Sequence, residues 1–361
     1  MPPLTPPRTA AHDGRAAAPG LPFAELHLHV EGTLEPELVL ALARRNGVDL
    51  PYRDAEELRR AYAFGDLQSF LDLYYEAMSV LREPQDFADM TSAYLRRAAR
   101  AGVRHAEIMF DPQAHLVRGV PLETVVDGIA SVLATSERDH GVSTLLIAAF
   151  LRDRDEDEAL DVLDRLLAAD APIVGIGLDS AEVGHPPAKF ARLFERAGRA
   201  GLRRVAHAGE EGPPEYVTET LDVLGAERID HGIRCLEDDA LVARLVAQGT
   251  PLTVCPLSNV ALRAVPSLDR HPVLEMLARG LNVSVHSDDP AYFGGYLDDT
   301  LRALEDVLGL TPEQRATLAA NSVRSSFLPA ERRDALLAEI AEIAKGAETA
   351  ETAETAGGAT T

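Results

Sequence analysis

Eight short aliphatic and β-branched runs recur along this 361-residue chain, each followed by a longer stretch of helical periodicity, and no other feature restricts the fold as much. The runs lie at 24–30, 105–110, 143–151, 173–179, 203–207, 228–232, 252–255 and 282–286. Between and after them, 36–45, 87–101, 122–139, 155–169, 187–200, 214–224, 238–248 and 272–279 carry apolar residues at helical spacing. A strand joined to the next by a crossover helix makes a parallel pair. Eight such units are the number that closes a (β/α)8 barrel, and barrels of this length fold as one domain. An open doubly wound sheet would show the same alternation but calls for a Gly-rich phosphate turn after an early strand, where this chain has His29-Val30-Glu31-Gly32-Thr33. The expectation is an α/β chain with a single (β/α)8 TIM barrel over residues 21–345. An additional helical segment at 67–81, between the first two runs, is placed over the open face as a lid. The Pro- and Ala-rich residues 1–20 and the Ala-Glu-Thr tract at 346–361 bury too little apolar surface to offset their ordering entropy, and are expected to be disordered tails.

Charge narrows the partners. With 58 acidic and 35 basic residues the formal net charge is -23, which repels phosphate backbones and anionic headgroups. No nucleic acid and no membrane is expected as a partner; a small neutral molecule is. The longest apolar run, 145–151, falls far short of a membrane span, and residues 1–20 contain no apolar signal core. Two cysteines, Cys235 and Cys255, form no C-x-x-C pair and no disulfide framework, which suits a reducing cytoplasm.

Chemistry gathers where the runs end. His27 and His29 sit two apart on the first run, so both imidazoles point to one face. The fifth run ends in His207-Ala208-Gly209-Glu210, the sixth in Asp230-His231-Gly232, and the eighth is followed by Ser287-Asp288-Asp289-Pro290. Each has a bland reading: a strand-end histidine is often a bonded core residue, and Asp-Asp-Pro is often a turn. Together they fall on the C-terminal face of the barrel, where barrel active sites lie. Three imidazoles and one carboxylate suit Zn2+ with a position left for water, the pattern of a catalytic site. A second ion usually needs a bridging strand-end lysine, and Lys189 and Lys345 are both off the runs, so one zinc per chain is favoured.

The segments Glu25-Leu26-His27-Leu28-His29-Val30-Glu31-Gly32-Thr33-Leu34-Glu35-Pro36, Val205-Ala206-His207-Ala208-Gly209-Glu210-Glu211, Ile229-Asp230-His231-Gly232 and Ser287-Asp288-Asp289-Pro290 resemble the adenosine and adenine deaminase family, over about residues 22–335. The resemblance implies a zinc-dependent barrel hydrolase acting on a purine 6-amino group. It puts the metal ligands on His27, His29, His207 and Asp288, the proton donor on Glu210, the water-orienting histidine on His231 and the purine-contacting aspartate on Asp289. On this reading Glu210 protonates N1, His231 takes or shares the proton of the attacking water, and Asp289 holds N7. The loop 179–184, with Ser180, is assigned to the far edge of the purine.

Members acting on nucleosides resemble one another in having aspartate where this chain has Glu31, whose longer side chain is expected to occupy the space of a ribose. The neighbouring runs, 210–216 and 288–296, look more like adenine deaminase. Adenine to hypoxanthine is therefore the expected reaction, with adenosine, N6-substituted adenines and 5′-substituted nucleosides as alternatives. Two rivals fit less well. A nucleic-acid deaminase of the smaller zinc type needs H-x-E and P-C-x-x-C, absent here, and a non-catalytic purine-binding barrel has no need of Glu210 and His231 beside intact ligands. Of the remaining histidines, His105, His115 and His286 are read as structural, while His12, His140, His185 and His271 are read as carrying no signal. Cys255 is read as core.

Overall fold

The computed structural model describes residues 20–62 and 67–357, with residues 67–69 and 347–357 as backbone only. Its strands are β1 (Phe23–Glu25), β2 (Val103–Phe110), β3 (Ser143–Leu151), β4 (Ile173–Asp179), β5 (Arg203–Ala208), β6 (Arg228–His231), β7 (Pro251–Val254) and β8 (Asn282–Val285). They pair in sequence order and every pairing is parallel. The ring closes just beyond the ends of β1 and β8: Leu28 bridges to Asp288, the His29 N–H donates to the Asp288 carbonyl, and the Asp288 N–H donates to the His27 carbonyl, both at 3.1 Å. The expected (β/α)8 barrel is therefore what forms.

β3 and β4 match their expected spans end to end. A parallel strand under helices is apolar on both faces, so a continuous run such as Leu145-Leu146-Ile147-Ala148-Ala149-Phe150-Leu151 reads without ambiguity. β1 is shorter than the run at 24–30 because side chains replace part of its ladder. The Leu26 N–H donates to Nδ1 of His286 at 3.1 Å, and the Leu26 carbonyl accepts from the Arg228 guanidinium at 3.1 Å. The strand then resumes as single bridges at Leu28 and His29.

Two layers of core result. The larger lies between strands and outer helices and includes Leu26, Leu28, Ile108, Phe110, Leu178 and Phe194. The smaller lies inside the barrel, where Met109, Ile147, Ala149 and Val205 meet. Below it Arg228 is fully buried, 2.6 Å from Glu107 and with its guanidinium 4.9 Å from the centre of the Phe327 ring. The Phe327 N–H donates to Glu107, so the residue that plugs the bottom of the barrel is tied to the same carboxylate. The helix Pro312–Arg324 covers the seam between first and last strands: Ser322 Oγ accepts from the Ala24 N–H at 3.0 Å, and Asn321 Nδ2 donates to the Val283 carbonyl at 2.9 Å.

The helix Leu67–Met78 occupies the segment expected as a lid. The last helix, Ala330–Gly357, continues through part of the stretch expected to be a disordered tail from residue 346, a correction that follows from its Ala and Glu content, good helix formers that need little burial to prolong a helix already begun. Residues 1–19 and 358–361, the rest of the expected tails, lie outside the described residues. Among those described, no helix is long and apolar enough to cross a membrane.

Glu107→Ala would leave the buried Arg228 charge without its carboxylate. Breaking a buried pair from one side costs about 3–5 kcal/mol, and we expect a urea midpoint lowered accordingly at unchanged slope.

Candidate active site

Two strand ends, β1 with His27 and His29 and β5 with His207, and the loop after a third strand, β8 with Asp288, bring these four residues together, with one ligand atom from each lying within 4.8 Å of the others. Nε2 of His207 is 3.1 Å from Nε2 of His27 and 3.4 Å from Nε2 of His29. Asp288 Oδ1 is 3.4 Å and 3.6 Å from the same two atoms. The other nitrogen of each ring faces away, toward an oxygen. His27 Nδ1 meets the Thr253 carbonyl at 3.0 Å, His29 Nδ1 meets Asp179 at 3.4 Å and Asp111 at 3.7 Å, and His207 Nδ1 lies 3.7 Å from Asp230. A proton held at Nδ1 leaves the Nε2 lone pair free for the cluster, the usual arrangement behind a metal-ligating imidazole.

The electrostatics favour a cation there. Burial works against a charge on His27, yet Asp288 and Asp230 outweigh it and push its pKa up to about 9. Burial, then the charges of His27 and His231, hold His207 well below the usual histidine range, so it is neutral. Burial opposes ionisation of Asp288, but His27 and then His231 hold its carboxyl well below the ordinary value. Three imidazole nitrogens and an ionised carboxylate in a buried pocket fit a metal ion.

His231 and Glu210 stand beside this cluster. His231 Nε2 is 3.7 Å from Asp288 Oδ2 and 3.5 Å from Glu210 Oε2. Burial first, and then Asp288 and Glu182, raise the Glu210 pKa well above the carboxylate range. Asp289 is buried on the other side, its pKa raised well above the ordinary value by burial and then by Asp288, and its Oδ1 has no hydrogen-bond partner among the described residues. Gly32 makes room for it: a Cβ at residue 32 would fall 2.1 Å from that Oδ1 and 2.6 Å from the Asp289 Cα. Ser180, His231 and Asp288 all have left-handed backbones, with φ of 71°, 65° and 63°. Each costs roughly 1–2 kcal/mol for a residue with a Cβ.

The cleft is lined by His29, Asp111, Asp179, Ser180, Glu210, His231, Asp288 and Asp289, with Phe70, Leu71, Tyr74 and Tyr75 of the helix Leu67–Met78 along one wall. Glu31 does not line it, and the expectation that it blocks a ribose is corrected. Its Oε1 lies 2.7 Å from His115 Nε2 and accepts from the Asp111 N–H at 3.2 Å. The longer side chain reaches past the cleft and braces Asp111, which does line it.

Glu182, Asp111, Asp179 and Asn259 take positions here that the sequence reading did not give them, Asp179 and Glu182 having been assigned with the loop 179–184 to the far edge of the purine. Glu182 accepts from the backbone N–H groups of Gly209, Glu210, Glu211 and Gly212 at 2.6, 3.0, 2.9 and 2.8 Å, and so anchors the loop that carries Glu210. Asp111 and Asp179 back His29. Asn259 Nδ2 lies 3.0 Å from Glu210 Oε1 and 3.2 Å from His231 Nδ1, and Asn259 Oδ1 meets Nε2 of His271 at 3.2 Å. The reading of His271 as without signal is thereby corrected. His105, His115 and His286 do take structural roles, bonded to Ser143, Glu31 and Ser284 respectively. Burial holds the Cys255 thiol protonated in the core.

A family model described as adenosine deaminase matches residues 22–343. The chain belongs to the adenosine deaminase family. Over 322 residues it is 61% identical to an adenine deaminase of Streptomyces coelicolor, covering 89% of this chain and 95% of that one. The crystal structure of an adenine deaminase from Arthrobacter aurescens superposes with a TM-score of 0.89 at 68% identity, covering 90% of this chain and all of that one, 100%. An amidohydrolase from Burkholderia ambifaria, crystallised with bound zinc, gives a TM-score of 0.84 at 28% identity, covering 92% of this chain and 93% of that one. In this member of the family, His207→Ala and Asp288→Ala should each lose most of the bound metal on dialysis, measured by elemental analysis, whereas Asp289→Asn should keep it.

Proposed function

We propose that this chain converts adenine and water to hypoxanthine and ammonia, using one zinc ion per chain. The observation that carries the reading is the pair of carboxyls flanking the ligand cluster, Glu210 beyond β5 and Asp289 beyond β8, both buried and both pushed toward the acid form by burial and by Asp288. A purine with a 6-amino group presents N1 and N7 on either side of C6, and both are acceptors. Two carboxylic acids are the donors that edge requires. The adenine deaminases of Streptomyces coelicolor and Arthrobacter aurescens, at 61% and 68% identity, support the choice of base.

His27, His29, His207 and Asp288 would hold the ion, and the zinc-bound relative supports its identity. Zinc, when bound, lowers the pKa of its water to about 7 and so supplies a nucleophile at neutral pH. The side chains do the rest. Asp289 donates to N7 and fixes the ring in the cleft. Glu210 gives its Oε2 proton to N1 as the C6–O bond forms, which draws electron density from C6, and His231 orients the attacking water. The Glu210 carboxylate left behind then takes the proton of the new C6 hydroxyl and passes it to the amine, so that the C6–N bond breaks, ammonia leaves and C6 becomes a carbonyl, and Glu210 regains its proton from solvent. Tyr74 and Tyr75, from the helix along the wall, narrow the opening and limit solvent around the reacting atoms.

Glu210→Gln should keep its metal and lose at least about 10²-fold in kcat, the usual contribution of a general acid. The active form of Glu210 is the protonated one and its pKa is raised by burial and by Asp288, so the fall of kcat with rising pH should be displaced to higher pH than an ordinary carboxyl would give. The substrate assignment rests on kcat/KM for adenine, adenosine, an N6-alkyl adenine and a 5′-substituted adenosine measured side by side. Adenine should lead each of the others by tenfold or more, roughly 1.4 kcal/mol in transition-state binding. A nucleoside leading by that margin would reject the free base as substrate.

A further inference from the structure

Behind the cleft a chain of hydrogen bonds runs from a backbone amide to Glu210 and His231, and its direction is fixed at the far end. The Val273 N–H points at His271 Nδ1, 3.3 Å away. An amide N–H only donates, so Nδ1 accepts and the ring proton of a neutral His271 is on Nε2. That atom lies 3.2 Å from Asn259 Oδ1. The two ends of an asparagine amide are alike in shape, and here the donor at His271 decides between them: the oxygen faces His271 and the NH2 faces the cleft. Its two hydrogens have two acceptors in reach, Glu210 Oε1 at 3.0 Å and His231 Nδ1 at 3.2 Å.

Two proton positions follow. His231 accepts at Nδ1, so its own proton is on Nε2. Glu210 accepts at Oε1, so the acid proton is on Oε2. These two atoms, 3.5 Å apart, lie side by side as donors rather than bonded to each other. We propose that Asn259, oriented by His271, is a positioning residue that keeps His231 in its Nε2–H tautomer and the Glu210 proton on Oε2, so that both protons face the substrate. The catalytic consequence rests on the deamination reading above. It also changes the part played by His231, which offers the attacking water a donor and steers it, and does not take its proton. Neither Asn259 nor His271 is among the described residues that line the cleft, and both act through the two groups they orient.

Ring 15N shifts of protein labelled at histidine test the assignment directly, in the metal-free and the zinc-loaded protein, with the His231 signals identified by their loss in His231→Gln. Wild type should show His231 with a bare Nδ1 and a protonated Nε2. Asn259→Asp replaces the donor by an acceptor and should move the proton to Nδ1, with kcat lowered about 10–100-fold, the range for partners behind a site, and KM and metal content little changed. His271→Leu should act in the same direction, because nothing then orients the amide. His271→Gln, which returns an N–H donor toward Asn259 Oδ1, should rescue both the tautomer and kcat. A protonated Nδ1 on His231 in wild type would overturn the proposal whether or not the variants fold, and so would unchanged kcat in folded Asn259→Asp. Wild type with the expected tautomer and no activity on any purine would uphold the positioning and overturn the deamination reading instead.

Discussion

A guanidinium with no exposure to water is the constraint around which this barrel is arranged. Arg228 cannot shed its charge, so every face of it must be met. Glu107 meets it from β2, the Leu26 carbonyl from beside β1, and Asp230 at 3.6 Å from its own strand, while the Phe327 ring closes it from below. The consequences reach the cleft. Asp230 accepts from Thr253 Oγ1 at 2.7 Å, the Thr253 carbonyl takes Nδ1 of His27, and Asp230 itself faces His207. One side of the histidine cluster thus stands on a column of polar groups whose base is a buried ion pair, and moving the base would turn the imidazoles above it.

Two adjacent carboxyls are pushed in opposite directions in the cleft. Asp288 and Asp289 are chain neighbours of the same chemical type, yet His27 pushes the pKa of the first down while burial and the first push that of the second up. The left-handed backbone at Asp288 contributes, because it turns the two carboxyls in different directions, one into the imidazoles and the other toward Gly32. Two consecutive positions thus present carboxyls with opposite proton affinities.

What the sequence revealed, and what it concealed, follow from distance along the chain. β3 and β4 were legible end to end because a strand covered on both faces is apolar throughout. His27, His29, His207 and Asp288 were legible because strand ends of a barrel share one face, so position along each run predicts convergence. Glu182, Asn259 and His271 were not, since each acts on a loop 27 to 49 residues distant or through a partner itself hidden, as with Glu182 on Gly209 and Asn259 on Glu210. No spacing encodes such a meeting; the closure of the loops over the barrel creates it. Glu31 was misread for a related reason. Its extra length was visible, but the direction it reaches, toward His115, depends on a helix that comes more than 80 residues later.

The left-handed backbones at Ser180, His231 and Asp288 bear on how such a chain responds to selection. At each position glycine would relieve the conformational strain and remove the side chain that the cleft uses. Laboratory evolution for heat resistance alone would therefore drift toward glycine at these three places, and its sturdiest products would be barrels with an eroded cleft. Screens for durable variants of this fold need turnover as a second criterion from the first round, because at these positions the two pressures point in opposite directions.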